Sequence, residues 1–194
     1  MDPLALLVAE HRVIESVLDA LDDLAAAAAR GSVDLGRLAS IVEFLRGYAD
    51  AIHHGKEEKI LFLAVERCRE TAGLVQPLSA LRRDHDTARL LTDALAACAA
   101  LRQPVTAAGR ARLQRTALDY TALLRRHIAT EDGRVFPAIA AGLPAAAMAG
   151  VLSAFTRFEA EHEASRTELC GRASGFVAGR SVRQSSAGTP KACQ

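Results

Sequence analysis

The 194-residue chain has no tryptophan, and aromatic residues make up only 4% of it. It also has no long basic run, and a formal net charge of +1 gives no indication of a nucleic-acid partner. Its apolar runs, such as Leu24 to Ala29, are far shorter than a membrane span. The first residues lack a basic start followed by an apolar core, so we expect no secretory signal, no membrane attachment and a cytoplasmic location.

Cysteine is scarce, and the four cysteines are widely separated without any CxxC pair: Cys68, Cys98, Cys170 and Cys193. This spacing indicates thiols in a reducing cytosol rather than a disulfide framework or a cysteine-rich zinc site. Ala and Leu are abundant instead, and half of the residues are hydrophobic. Such a composition favours helices over sheets.

Several positions have the properties of helix starts. Asp2 followed by Pro3 combines a capping side chain with proline at the first helical position, and Asp34 and Thr106 are further capping residues. Apolar residues then recur at spacings of three and four, as in buried helices. In the second helix this apolar face drifts, and two glycines interrupt it, so we expect a bend or a local irregularity near His53.

The helical segments are joined by short breaks, and no segment alternates convincingly between apolar and polar residues as a strand does. The predicted fold is therefore all-α, an up-down-up-down four-helix bundle with an additional C-terminal helix at about residues 145–169. We assign residues 1–170 to this bundle. Residues 171–194 are rich in Gly, Ser and Arg, and we predict a flexible tail there.

The most informative pattern is a ten-residue motif that occurs twice. HHGKEEKILF at residues 53–62 aligns without gaps with HIATEDGRVF at residues 127–136. In each copy a His and a Glu lie four residues apart, which places them on the same face of a helix. The two pairs are His53 with Glu57 and His127 with Glu131. An imidazole beside a carboxylate forms half of a binuclear metal site, and two copies form most of one.

Single histidines on two other helices extend this set. His11 occupies a position in the apolar stripe of the first helix, and His85 lies on the third. On the fourth helix the buried stripe changes from Leu to His127 and Glu131, although burial of ionisable groups is costly. Four imidazoles and two carboxylates suffice for two metal ions with bridging carboxylates. Mixed nitrogen and oxygen ligands favour iron, with manganese or zinc as substitutes, and disfavour magnesium and calcium.

A second pair, His54 with Glu58, has the same spacing as His53 with Glu57. The internal alignment favours His53, because a shift of one residue loses the match between acidic positions. We therefore expect His54 beside the site or at the surface. The sequence leaves open whether any of four further side chains joins the site: Tyr48, His54, Glu159 and His162.

With these residues in this order, the chain resembles the hemerythrin-like, HHE cation-binding family over about residues 4 to 165. The family favours LFP after each HxxxE, and the chain has ValPhePro at residues 135–137 and LeuPheLeu at residues 61–63. The resemblance implies a non-haem di-iron centre with an oxo or hydroxo bridge inside a helical bundle. It implies four terminal ligands, His11, His53, His85 and His127, and two bridging ligands, Glu57 and Glu131.

Two departures separate the chain from the oxygen-carrying hemerythrins that it resembles. Arg89 stands where they have a second His on the third helix, and Glu131 ends the last motif where they have Asp one position later. From the smaller set of histidines we expect open coordination positions that react with a small oxidant: oxygen, hydrogen peroxide or nitric oxide.

Such a protein would be a di-iron oxidoreductase, catalase-like or nitric-oxide-reducing. The alternative is an iron or oxygen sensor, or an iron store, without turnover. A third interpretation is an all-helical interaction domain with His and Glu as remnants. The sequence does not specify the oligomeric state, the redox partner or the physiological ligand.

Overall fold

The computed structural model describes residues 2–186. Eight α-helices occur in this range: α1 (Pro3–Ala29), α2 (Leu35–Phe44), α3 (Phe62–Glu66), α4 (Val75–Ala99), α5 (Ala107–Thr130), α6 (Phe136–Gly142), α7 (Ala145–Glu161) and α8 (Glu163–Ser186). Residues 2–186 contain no strand, and the predicted all-α fold is confirmed. Within the same residues, no helix has both the length and the apolar character to cross a membrane.

The helices of the bundle form four long rods. The first rod is the single helix α1 and the third is the single helix α4, whereas the second and fourth rods each consist of helices that continue into one another. The second rod, residues 35–66, joins α2 to α3 through the π-helical segments Leu45–His54 and Glu57–Leu61. The fourth rod, residues 107–142, joins α5 to α6 through the π-helical segment Glu131–Val135. A short 3₁₀ segment, Arg69–Leu74, leads from the second rod to the third.

The four rods pack side by side around a common interior. Helix α1 contacts α5, α5 contacts α4, α4 contacts α2, and α2 contacts α1, which closes the ring. Helices α7 and α8 form an additional layer, in which α7 packs on α1 and on Glu57–Leu61 while α8 packs on α1 and on Leu45–His54. The predicted helical bundle with an additional C-terminal helix is thereby confirmed.

Side-chain caps fix the starts of three helices where the sequence predicts them. The capping oxygen accepts a hydrogen bond from a backbone N–H of the first turn in each case: Asp2 from Leu4 at 3.0 Å, Asp34 from Arg37 at 2.8 Å and Thr106 from Gly109 at 3.1 Å. Each bond satisfies one of the N–H groups that a helix start leaves without a partner.

The irregularity predicted near His53 is present as the π-helical geometry of the second rod. Two glycines in this region allow the additional helices to approach closely. A Cβ on Gly47 would lie 2.7 Å from Leu169 Cδ1 in α8, and one on Gly55 would lie 3.1 Å from Phe158 Cζ in α7. The two glycines, unfavourable within a helix by about 1 kcal/mol each, therefore permit α7 and α8 to pack on the bundle.

Two apolar clusters fill the interior, one above the other. The first includes Ile14, Leu18, Ile41, Tyr48, Leu95 and Tyr120. The second includes Leu4, Leu7, Phe62, Leu78, Phe136 and Phe155. The first and third rods run from the second cluster to the first, while the second and fourth rods run the other way. The predicted up-down-up-down order stays a prediction, which this alternation supports.

The chain does not lose its regular structure at residue 171, where the sequence predicts a flexible tail. Helix α8 continues to Ser186, and residues 187–194 of the predicted tail lie outside the described residues. Ala173 is 2% exposed, and Phe176 packs against the first apolar cluster. With Leu169 and Cys170 these residues form a helical stripe, which the surrounding Gly, Ser and Arg residues obscure in the sequence.

Replacement of Ala173 by Asp tests whether this part of α8 belongs to the core. Because the carboxylate would be buried without a partner, we expect Ala173→Asp to lower the free energy of unfolding by about 2–4 kcal/mol. Ser174→Asp is the matched control, since the neighbouring Ser174 is exposed. Denaturant unfolding of both variants gives the comparison, and equal stabilities would place residue 173 outside the core.

Candidate metal centre

All six residues predicted to bind metal meet in one layer between the two apolar clusters. Each of them is at most 1% exposed: His11, His53, Glu57, His85, His127 and Glu131. Along α1, for example, His11 lies between Leu7 of the second cluster and Ile14 of the first. The layer therefore has apolar side chains on both sides, which keep bulk water away from its polar atoms.

The donor atoms point toward one another across the bundle. His85 Nε2 lies 3.1 Å from His127 Nε2, and His127 Nε2 lies 3.2 Å from Glu131 Oε2. On the other side, His11 Nε2 also lies 3.2 Å from Glu131 Oε2. The Glu57 carboxylate is 3.5 Å from His85 Nε2 through Oε2. Side chains from all four rods thus converge on a single region.

These atoms form two groups that could each hold a metal ion, and within each group the ligand atoms lie within 4.8 Å of one another. The first group is His11, His53, Glu57 and Glu131. The second group is His54, Glu57, His85 and His127. Glu57 belongs to both groups, which is the arrangement expected of a carboxylate that bridges two ions.

His54 occupies a different place from either of those predicted. It is 2% exposed, so it does not lie at the surface, and it belongs to the second group rather than beside it. Its ring stacks on that of His85 with centroids 3.9 Å apart. The wider π-helical turn reduces the angle between successive side chains, and His53 and His54 both reach the interior.

Four histidines of the layer have Nδ1 within hydrogen-bond distance of a carboxylate on the outer side, whereas Nδ1 of His127 lies farther from its nearest carboxylate and has no hydrogen-bond partner among the described residues. The distances are 2.7 Å from His11 to Asp132, 3.0 Å from His53 to Glu10, 2.6 Å from His85 to Glu58, 3.4 Å from His54 to Asp50 and 3.6 Å from His127 to Asp84. When Nδ1 carries the proton and donates a hydrogen bond to the carboxylate, the lone pair of Nε2 is free to face the centre. The outer carboxylates therefore orient the imidazoles as ligands.

The sequence interpretation missed the role of these outer carboxylates, although the internal repeat contains them. The offset of 74 positions that relates the two motifs also relates Glu10-His11 to Asp84-His85, and PLALLVAEH at residues 3–11 to PLSALRRDH at residues 77–85. The acidic residue after each motif Glu, Glu58 or Asp132, holds the single histidine of the other half. Alignment of the whole halves, rather than of the motif alone, gives this signal.

Several buried atoms that face the centre have no hydrogen-bond partner among the described residues. They are Nε2 of His11, Nε2 of His54 and both carboxylate oxygens of Glu57 and of Glu131. Buried polar atoms without partners are rare because their desolvation is not compensated. Nitrogen lone pairs and carboxylate oxygens in this arrangement fit metal cations, which would satisfy all of them.

The electrostatics of the layer show what a cation would displace. Burial raises the pKa of Glu57 well above its usual range, and the nearby Glu131 carboxylate raises it further. Burial lowers the pKa of His54 to about 3. Burial also disfavours the charged form of His127, but Glu131 and Asp84 outweigh this effect and raise its pKa to about 9. Without a cation, a proton on His127 therefore offsets part of the negative charge, and the raised pKa of Glu57 favours its neutral form.

Two side chains that the sequence left open, Glu159 and His162, do not belong to either group among the described residues. Tyr48 packs in the core and stacks on Phe44. His162 Nδ1 lies 2.7 Å from the carbonyl oxygen of Phe158. Glu159 reaches the edge of the site indirectly, because it accepts a hydrogen bond from Lys56.

Lys56 is fully buried and connects α7 to the metal centre. Its Nζ atom lies 2.5 Å from Glu10 Oε1 and 2.7 Å from Glu159 Oε1. The other oxygen of Glu10 holds His53. Lysine is almost never fully buried unless it is paired, and here it has two carboxylate partners. The contact series Glu159, Lys56, Glu10 and His53 therefore runs from α7 into the centre.

We expect Lys56→Met to lower the free energy of unfolding by about 3–5 kcal/mol, because it leaves the Glu10 carboxylate buried without its cation. Adding Glu10→Gln should restore part of the loss, since the uncompensated charge is then removed. Lys59→Met is the control, because Lys59 is exposed on the same rod. Chemical unfolding of the metal-free variants measures the effect, and similar stabilities for the two lysine variants would contradict it.

Sequence comparison gives an independent finding about this layer. Residues 2–139 match the model of the hemerythrin family, which is described as "Hemerythrin HHE cation binding domain". Comparisons with curated proteins and with solved structures find no match. The matched range covers more than half of the chain and includes both donor groups. The chain therefore belongs to the hemerythrin family of HHE cation-binding domains.

Proposed function

We propose that the protein is a non-haem di-iron protein that binds or reduces a small oxidant such as oxygen, hydrogen peroxide or nitric oxide. Two findings support this proposal: the chain belongs to a cation-binding family, and it contains two His/Glu groups that could hold metal. The observation that carries the proposal is that Glu57 belongs to both groups. A shared carboxylate favours two adjacent ions over two independent sites.

The donor set favours iron among the metals. Imidazole and carboxylate ligands together suit iron, with zinc and manganese as substitutes, whereas magnesium and calcium prefer oxygen ligands alone. The residues that would hold the ions are four imidazoles as terminal ligands, from His11, His53, His85 and His127, and two carboxylates as bridges, from Glu57 and Glu131. When bound, the iron ions supply electrons and open coordination positions for the oxidant.

The protein residues orient these ligands and restrict what can reach them. The outer carboxylates fix the imidazole rings, and the two apolar clusters keep the layer dry. A cavity of about 240 Å³ adjoins His54 and is lined also by Asp50, Arg89 and Tyr120. Among the residues of the two donor groups only His54 lines this cavity, and the six assigned ligands are at most 1% exposed, which supports a small oxidant over a large organic substrate as the ligand.

The alternative function is an iron or oxygen sensor, or an iron store, without turnover. One contact series favours the sensor: Glu159 of α7 is linked to His53 through Lys56 and Glu10. A change at the metal centre would then alter the packing of α7. The cytoplasmic location and the absence of nucleic-acid and membrane partners stay predictions from the sequence.

Metal content and oxidant consumption test the proposal. We expect the purified protein to bind about two irons per chain and His127→Ala to lose iron, because His127 is a ligand in the second group. His162→Ala is the control, since His162 belongs to neither group. Elemental analysis gives the iron content, and the absorption of the oxo-bridged iron is followed after addition of peroxide or nitric oxide.

The outcomes separate the candidate functions. Consumption of peroxide or nitric oxide by the iron-loaded protein supports the proposal. Iron binding without consumption of either oxidant, together with metal-dependent melting, favours the sensor or store. A wild-type protein that folds without binding iron would contradict metal binding and favour the interaction domain. An unchanged iron content in His127→Ala would contradict the assignment of His127 as a ligand.

We also expect the metal affinity to fall as the pH is lowered from about 9 to about 6. His127 has a pKa raised to about 9, so it holds a proton that a metal ion must displace, and the raised pKa of Glu57 acts in the same direction. Each displaced proton makes the affinity change about tenfold per pH unit below the relevant pKa. Competition with a chelator of known proton affinity measures the slope, and a flat profile would contradict the assignment of these ligands.

A further inference from the structure

We propose that His54 is a further metal ligand, the fifth imidazole of the centre, which binds through Nε2 to the ion held by His85 and His127. This inference rests on the proposed di-metal function and adds a ligand to it. The six residues assigned above include only His53 from the HisHis pair of the second rod. The inference assigns both histidines of that pair to the centre, one to each ion.

The position of the imidazole is the first argument. His54 is 2% exposed, and its Nε2 atom has no hydrogen-bond partner among the described residues. A ligand atom of His54 lies within 4.8 Å of those of Glu57, His85 and His127. Its Nδ1 lies 3.4 Å from Asp50 Oδ1, so the ring has the same orientation as the other four, with a carboxylate outside and Nε2 inside.

The second argument is the difference between the two copies of the motif. The counterpart of His54 in the fourth rod is Ile128, which packs in the first apolar cluster. The scaffold therefore accepts an apolar side chain at this position. A buried imidazole with an unpartnered nitrogen is costly there unless a ligand satisfies it.

The backbone of the second rod also differs from that of the fourth before the motif. Before the motif, buried positions of the second rod correspond to buried positions of α5 that lie 75 residues later in the sequence. Leu45 corresponds to Tyr120 in this way, and Ala49 to Leu124. Within the motif, corresponding positions are only 74 residues apart. The second rod thus contains one extra residue just before His53, and a π-helical turn accommodates one extra residue.

Arg89 stabilises the outer side of this arrangement. Its Nε donates to Asp50 Oδ1 at 2.8 Å, and its Nη2 donates to Glu58 Oε1 at 2.9 Å. These two carboxylates are the outer partners of His54 and His85. Arg89 is therefore a positioning residue for two stacked imidazoles of one group, and it belongs to neither donor group itself.

The consequence is a centre with unequal ends. The second group has three imidazoles and the shared Glu57, while the first group has two imidazoles with Glu57 and Glu131. The centre would then have five imidazole ligands instead of the four assigned above. Removal of His54 should weaken binding of one ion and leave the other in place.

The test compares His54→Gln and His54→Gly with the wild-type protein, with His162→Ala as the control. Zinc and iron are bound in turn, and metal per chain and chelator competition are measured, so the readout does not depend on reactivity. We expect both His54 variants to bind one ion with unchanged affinity and the other about 10–100-fold more weakly. The control should bind both ions as the wild type does.

Chemical rescue separates a missing ligand from a damaged fold. The cavity of about 240 Å³ beside His54 gives free imidazole room to enter His54→Gly, and we expect added imidazole to restore binding of the second ion. Wild-type protein that binds two ions, with His54→Gln binding both as tightly, would overturn this inference and leave the proposed function intact. Wild-type protein that binds no metal would instead overturn the proposed function.

Discussion

Burial of ionisable side chains between two apolar clusters is the constraint on which the rest of the structure depends. Five imidazoles and two glutamates lie in one layer with almost no exposure to solvent. Such groups are tolerated inside a protein only when their polar atoms have partners on every side. Outer carboxylates supply hydrogen-bond partners for Nδ1 of four of the imidazoles, and cations bound by Nε2 and the two glutamates would supply partners at the centre.

Four of the five outer carboxylates pair in turn with basic residues. Arg12 pairs with Asp132, Arg89 with Glu58 and Asp50, and Lys56 with Glu10. Charge therefore alternates outward from the centre, from cation to imidazole to carboxylate to a basic side chain. This alternation pairs charged residues of the second rod and α4 close to the interior, such as Glu58 with Arg89.

The sequence predicted the parts of the site that depend on local periodicity. A His and a Glu one turn apart within an apolar stripe can be recognised as candidate ligands from the sequence alone. The same holds for His11 and His85, which lie in apolar surroundings. Contacts between rods, such as that of Asp132 with His11, depend on packing and leave no local pattern. The position of His54 was predicted from the alignment with the second motif, which follows a regular α-helix. His54 itself lies in a π-helical segment, and such a segment changes which residues face inward.

The internal repeat of two halves also links formation of the centre to closure of the bundle. Asp132 in the second half orients His11 in the first, and Glu58 in the first half orients His85 in the second. One half alone would leave its single histidine without an outer partner and its motif glutamate without the other half's imidazoles. Assembly of the two halves therefore completes the ligand set and pairs the buried charges in the same step, so a bound cation would stabilise the packing of all four rods.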